Sequence, residues 1–180
     1  DLNKVPPGLT WDEASLGYNA YSILNTGRDE YGTFLPLTLK SFGDYKPALY
    51  TYLDIPFIAI LGLNEWAVRM PSVLAGLGFI LLTYLITKEI FKTEKLAQAS
   101  AFFAAISPVS IQFSRAGYES NIAVTLNLLG AYFLLRGLKN SKYFVRISLI
   151  FMIVNSLPFR IKKAALHGGR QDGTTQLHRH

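Results

Sequence analysis

The sequence has no cysteine, which excludes a disulfide framework and a thiolate metal site. It is also short of charge: 17% of its 180 residues are Asp, Glu, Lys or Arg, against about 25% in a soluble domain. Methionine is scarce, and the first is Met70. A start there would discard a large part of the chain, so the sequence reads as a fragment or a processed product. Residues 1–30 contain no apolar h-region of a signal peptide. The three histidines, His167, His178 and His180, have no metal-ligand spacing. No metal site and no cofactor is therefore expected, with a divalent metal left open. What is abundant is aromatic and aliphatic: 12 Phe, 10 Tyr and long Leu/Ile runs, the reverse of a disordered composition.

The apolar residues are concentrated. Met70–Thr87 and Leu96–Phe113 are each 18 residues without a charge, and Ile122–Leu135 is 14. Val145–Phe159 is mostly apolar, with Arg146 near its start. A helix crossing a bilayer needs about 20 apolar residues. Met70–Thr87 shows no polar stripe at helical spacing, as a soluble amphipathic helix would. Its Ala75, Gly76 and Gly78 suit close helix packing in lipid. The expected fold is an all-α membrane protein with multi-pass transmembrane helices. Residues 1–69 form an extracytoplasmic first loop carrying surface-lying helices, residues 70–159 form a bundle of about four spans, and residues 160–180 form a polar tail that is disordered or not native. Ala48–Leu63, with Asp54 and Pro56 at its centre, reads as a helix lying at the outer surface, with a tilted functional span as the alternative. Tyr50 and Tyr52 are read there as interfacial residues.

Charge sets the orientation. Residues 88–95 and 136–146 are rich in Lys and Arg, whereas the connection between the second and third spans holds only Arg115 and Glu119. The basic connections are expected inside, and residues 1–68 and 115–121 outside. The net charge of +6 then reflects topology. No basic stripe is present, so nucleic acid is not expected as a partner.

Several outer residues can carry chemistry. Thr10-Trp11-Asp12-Glu13 before the helical stretch Ala14–Leu24 fits a capping box, with Glu13 reaching back to the Thr10 amide. A glutamine would serve that box as well. Asp12 is not needed for it; the residue is either a first-turn acid favoured by the helix dipole or a general base for a hydroxyl. Lys46 is placed to meet a lipid phosphate or to snorkel to headgroups. Arg69 is either a functional cation or the partner of Glu65, four residues earlier. Arg115 and Glu119 share that spacing and leave the same two readings.

The ordered set Trp11-Asp12-Glu13-Ala14, Ala20, Gly27, Gly32, Pro36, Lys46-Pro47-Ala48-Leu49-Tyr50 and Arg69-Met70-Pro71-Ser72 resembles the N-terminal part of GT-C membrane glycosyltransferases. The nearest group is that of the protein O-mannosyltransferases and lipid A aminoarabinose transferases. Ser114–Asn121 is similar to the second acidic motif of such proteins. The resemblance implies transfer of a sugar, with inversion, from a polyprenyl-phosphate carrier to a protein, lipid or glycan acceptor on the outer face of the cell membrane. It implies Asp12, with its neighbour Glu13, as the catalytic carboxylate motif and Lys46 as the contact to the lipid phosphate. Arg69, Arg115 and Glu119 fall on substrate-binding or structural positions. Many members read Lys-Pro-Pro where this chain has Lys46-Pro47-Ala48, and the helix that opens the family's fold does not precede Asp1. The alternative class is a polytopic transporter or flippase subunit that binds a lipid-linked sugar without chemistry.

Overall fold

The structure, a computed structural model, describes residues 2, 7–41 and 44–138. The fourth apolar run at 145–159, the tail at 160–180 with its three histidines, and most of the basic connection at 136–146 lie outside the described residues. The described chain runs α1 (Trp11–Thr26), β1 (Thr38–Ser41), β2 (Asp44–Pro47), α2 (Leu49–Leu61), α3 (Glu65–Phe91), α4 (Glu94–Ile106), α5 (Pro108–Arg115) and α6 (Glu119–Gly137).

The head is built from α1, the ribbon and α2. α1 starts where the capping box places it: the Thr10 hydroxyl accepts from the Glu13 amide, and the Glu13 carboxylate accepts from the Thr10 amide at 2.9 Å. It stops at Gly27, whose φ of 70° a side chain would strain. The following loop is folded on Asp29, which accepts from the amides of Tyr31 (3.0 Å) and Thr33 (2.7 Å). Asn19 on α1 exchanges hydrogen bonds with Glu30 and so ties the loop to the helix. β1 and β2 then pair antiparallel, with Leu39 opposite Lys46. This ribbon is an addition to the all-α expectation. Its four-residue strands are too short to show a period of two, and the turn formers around residues 43–47 hid them. Pro47 closes β2 instead of opening α2.

α2 is 13 residues long, about 20 Å of helix, and thus shorter than a hydrocarbon core of about 30 Å. It packs on α1 and α3 through Tyr50, Thr51, Asp54 and Ile58 and leaves Leu49, Leu53, Ile60 and Leu61 exposed. Tyr50 is therefore not interfacial: it is buried, and its hydroxyl donates to the Val68 carbonyl at 2.9 Å. The Tyr52 hydroxyl donates to the Pro36 carbonyl, which fastens α2 to the loop.

The second layer is α3 to α6. Among the described residues α3 is the one continuous helix long and apolar enough to cross a membrane, 27 residues from Glu65 to Phe91. Asn64 caps it, accepting from the Ala67 amide at 3.0 Å. The 18-residue run Leu96–Phe113 is not one helix. Ser107 is extended (φ −62°, ψ 122°), and α4 and α5 meet there at 58°. The cause is Pro108, which disfavours helical backbone at the residue before it. α6 contains the third apolar run. Small polar side chains join the layer, as in helix packing within lipid. The Ser72 hydroxyl donates to the Phe113 carbonyl (2.9 Å), Asn121 Nδ2 donates to the Ser72 carbonyl (2.8 Å), and the Thr125 hydroxyl donates to the Ala75 carbonyl (2.9 Å).

Candidate active site

Asp12 and Glu13 follow each other in the first turn of α1, and helical geometry turns their side chains about 100° apart. Glu13 faces inward and is fully enclosed. Its Oε1 accepts from Arg69 Nε at 2.8 Å and from the Gly117 amide at 2.8 Å. Its Oε2 accepts from Arg69 Nη2 at 3.2 Å, from the Thr10 amide and from the Thr10 hydroxyl at 3.2 Å. One carboxylate thus joins the start of α1, the first turns of α3 and the turn between α5 and α6. The approach is close: a Cβ at Gly117 would lie 3.1 Å from Glu13 Cγ and 3.2 Å from the Tyr50 hydroxyl, so those side chains would have to give way by a few tenths of an ångström.

Arg69 is also fully enclosed. Beyond Glu13 it donates to the carbonyls of Gly8 (2.5 Å) and Leu2, which draws the segment before α1 onto α3. The sequence offered Glu65 as the partner four residues earlier. The structure pairs Arg69 with Glu13, 56 residues away, because Arg69 lies on the face of α3 that packs against the head. A buried guanidinium needs a buried acceptor, and Glu65 sits on the partly exposed first turn. Burial pushes the Glu13 carboxyl up, but the Arg69 guanidinium and the Thr10 and Gly117 amides together hold it below the ordinary carboxylate range. Glu13 is ionised and fully committed to its partners.

Asp12 faces outward. Its carboxylate contacts Lys46 Nζ on β2; the Asp12 side chain is 59% exposed and that of Lys46 17%. The ribbon does this positioning, since pairing Lys46 with Leu39 turns the buried Leu39 and the lysine to one side of the ribbon, toward α1. The structure therefore brings together four of the six sequence candidates as two adjacent ion pairs, Asp12–Lys46 outside and Glu13–Arg69 inside.

The other two candidates do not form the expected helical pair. Arg115 ends α5 and Glu119 begins α6, and Ala116-Gly117-Tyr118 breaks the helix between them. The residue of this stretch that reaches the site is Gly117, through its amide, which side-chain reasoning could not find. A second omission is Asp54. It is fully buried on α2, and neither carboxyl oxygen has a hydrogen-bond partner, nor does the hydroxyl of Thr51 one turn earlier. Burial and the nearby Glu13 charge push Asp54 up to about 9, so it is a neutral acid at pH 7. Its position in the middle of an apolar helix was the available signal.

Comparison with known proteins identifies relatives of this chain. The chain is 32% identical over 97 residues to "Putative mannosyltransferase YycA" of Bacillus subtilis (strain 168), an overlap of 54% of this chain and 14% of that protein. It is 27% identical over 110 residues to "Putative mannosyltransferase YkcB" of the same organism, covering 61% of this chain and 15% of that one. The chain thus spans about a seventh of the length of these relatives. No solved structure matches it. The model of the family described as Dolichyl-phosphate-mannose-protein mannosyltransferase matches residues 45–166, a stretch that includes Lys46, Arg69, Arg115 and Glu119 and begins after Asp12 and Glu13. That match takes in more than half of the sequence, and the chain belongs to this mannosyltransferase family.

Proposed function

We propose that the chain carries the acceptor-activating and phosphate-binding part of a glycosyltransferase site. In this reading the protein moves a sugar from a polyprenyl-phosphate carrier to an acceptor hydroxyl, on the outer face of a membrane that α3 and further helices cross. The observation that supports it is the exposed Asp12–Lys46 pair, mounted on a buried Glu13–Arg69 pair that fixes its position. Asp12 accepts the proton of the acceptor hydroxyl as that oxygen attacks the anomeric carbon. The bond to the carrier phosphate breaks on the opposite side, and the negative charge that develops on the phosphate is stabilised by Lys46. Because the two groups contact each other before substrate binds, the arriving phosphate competes with Asp12 for Lys46. Donor binding thereby releases the base. Glu13 and Arg69 take no part in bond making; they set where Asp12 stands.

Transfer assays on the whole gene product with a polyprenyl-phosphate sugar test this. Asp12→Asn should lower turnover by about 10²–10⁴-fold, with unchanged insertion and thermal stability. Near wild-type turnover in that variant would remove Asp12 from the reaction. Lys46→Ala should raise the donor KM and Lys46→Arg should recover part of it. An unchanged KM in Lys46→Ala would leave that residue a headgroup contact. For the orientation, a cysteine at Gly43 should react with an impermeant thiol reagent in intact cells and one at Thr93 should not.

A further inference from the structure

The loop between α1 and β1 sorts its charges by sign. Its acids are held inside: Asp29 is buried and accepts from loop amides, and the Glu30 carboxylate accepts from the buried Asn19 of α1 at 3.2 Å. The cations at its two ends are exposed. Arg28 lies 6.0 Å over the ring of Phe34, and Lys40 of β1 lies 5.6 Å over the ring of Tyr31. Both rings are exposed, Phe34 to 64%, and Leu37 is 71% exposed. Leu35 between them has a φ of 40°, a left-handed backbone that strains a leucine, and its side chain is exposed as well. The loop is held without these side chains, by the Asp29 hydrogen bonds, the Asn19–Glu30 exchange and the Leu35 amide donating to the Gly27 carbonyl at 3.0 Å. Apolar side chains presented to water on a fixed frame mark an interaction surface.

α2 indicates what covers that surface. The loop is fastened to its first turn: the Pro36 carbonyl accepts from the Tyr52 hydroxyl, and the Leu37 carbonyl accepts from the Ala48 amide at 3.3 Å. At about 100° per residue, the exposed Leu49, Leu53 and Ile60 fall on one side of α2, away from the buried Asp54 and Ile58. This apolar stripe runs the length of the helix, and Ile60 at its far end is 81% exposed. It meets the exposed Leu63 and Trp66 where α3, the helix long and apolar enough to cross a membrane, begins. A lipid surface covers such a stripe when the helix lies along it. A helix so laid carries the loop at its first turn to the depth at which α3 enters. We infer that the loop over residues 28–40 is a lipid-headgroup contact, a second point at which the head rests on the membrane; this rests on the outer placement of the head proposed above. Tyr31 and Phe34 lie at the lipid–water boundary, where aromatic rings are favoured. Arg28 and Lys40 above them donate to the anionic phosphate oxygens of the lipids. The inward-held acids leave no exposed carboxylate of the ring–cation pairs to repel that layer.

The test uses the whole gene product in vesicles of phosphatidylglycerol and phosphatidylcholine, with a single cysteine, Phe34→Cys or Leu37→Cys, carrying a nitrobenzoxadiazole label. Leu37 lies outside both ring–cation pairs, so its label reads the loop with the pairs intact. Lipids with brominated acyl chains should remove the emission at both positions, and iodide in the water should not. With the label at Leu37, Lys40→Gln should lower the ratio of lipid-quenched to iodide-quenched label about fivefold, the change for one cation at an anionic surface. Lys40→Arg should leave that ratio where it was. Quenching by iodide and not by bromolipid at both positions overturns the contact. So does protection from both quenchers, since a protein surface then covers the loop. A ratio unchanged in Lys40→Gln overturns the binding of phosphate by the cation. Failure of a cysteine at Gly43 to react with an impermeant reagent in intact cells overturns instead the outer placement beneath the inference, so the two failures are distinguishable.

Discussion

Asp12 and Glu13 are neighbours in sequence with opposite surroundings. Glu13 is enclosed, receives five hydrogen bonds from Arg69, Thr10 and Gly117, and has no capacity left for a substrate. Asp12 is more than half exposed and contacts one cation, Lys46. The difference lies in what a charge can do in each place. In the enclosed site the ion pair organises four segments, and its disruption leaves an unpaired charge in a low-dielectric interior. In the open site, solvent screening makes the pair weak as a stabiliser, and the proposed reaction requires a pair weak enough to exchange partners.

The comparison is broken most severely by removing one member of the inner pair. Arg69→Ala should cost about 3–5 kcal/mol, seen as a large fall in melting temperature or loss of folded protein. Glu13→Gln should fall in the same range, because it keeps the capping box but strands the Arg69 charge. A double variant, Glu13→Gln with Arg69→Met, should recover a large part of the loss in a thermal melt.

Asp54 sharpens the comparison with a third carboxyl that is buried and has no hydrogen-bond partner. Its folded-state pKa of about 9 lies above an unfolded value of about 3.9. Stability from this group is therefore full below about pH 4 and is lost as pH rises toward 9. Asp54→Leu should raise stability at pH 7 and above, by on the order of 1–3 kcal/mol, with the gain shrinking toward pH 4. Glu13 has the opposite sign. Its pKa is lowered on folding, so its contribution is present above about pH 4.3 and disappears as acid protonates the clamp. Melting curves of the two variants across pH should diverge in opposite directions. The smallest expected effect is at the cap: Thr10→Ala should cost about 0.5–2 kcal/mol while Arg69 still holds Glu13.

The capping box was legible in the sequence because its partners are three residues apart and its chemistry is local. So was the apolar run inside α3. The partner of Arg69 was not. Helical spacing offered Glu65, and only tertiary packing puts Glu13 opposite it. The same holds for Gly117, whose contribution is a backbone amide. The break in the second apolar run was legible in Ser107-Pro108, but an 18-residue window of hydropathy weighs that proline no differently from its neighbours. The ribbon that delivers Lys46 was missed because its strands are four residues long and lie among turn formers.

The bond between Glu13 and the Gly117 amide spans 104 residues, and the bond to Arg69 spans 56. A ribosome adds about 5–20 residues each second, so the Glu13 side chain is made roughly 5–20 s before its last partner exists. Throughout that interval its charge requires water, and the head cannot close over it. The start of α1 is thus made well before it can reach its final surroundings. An insertion or translation pause between residues 69 and 117 would prolong the exposure of the head without altering any contact in the finished fold.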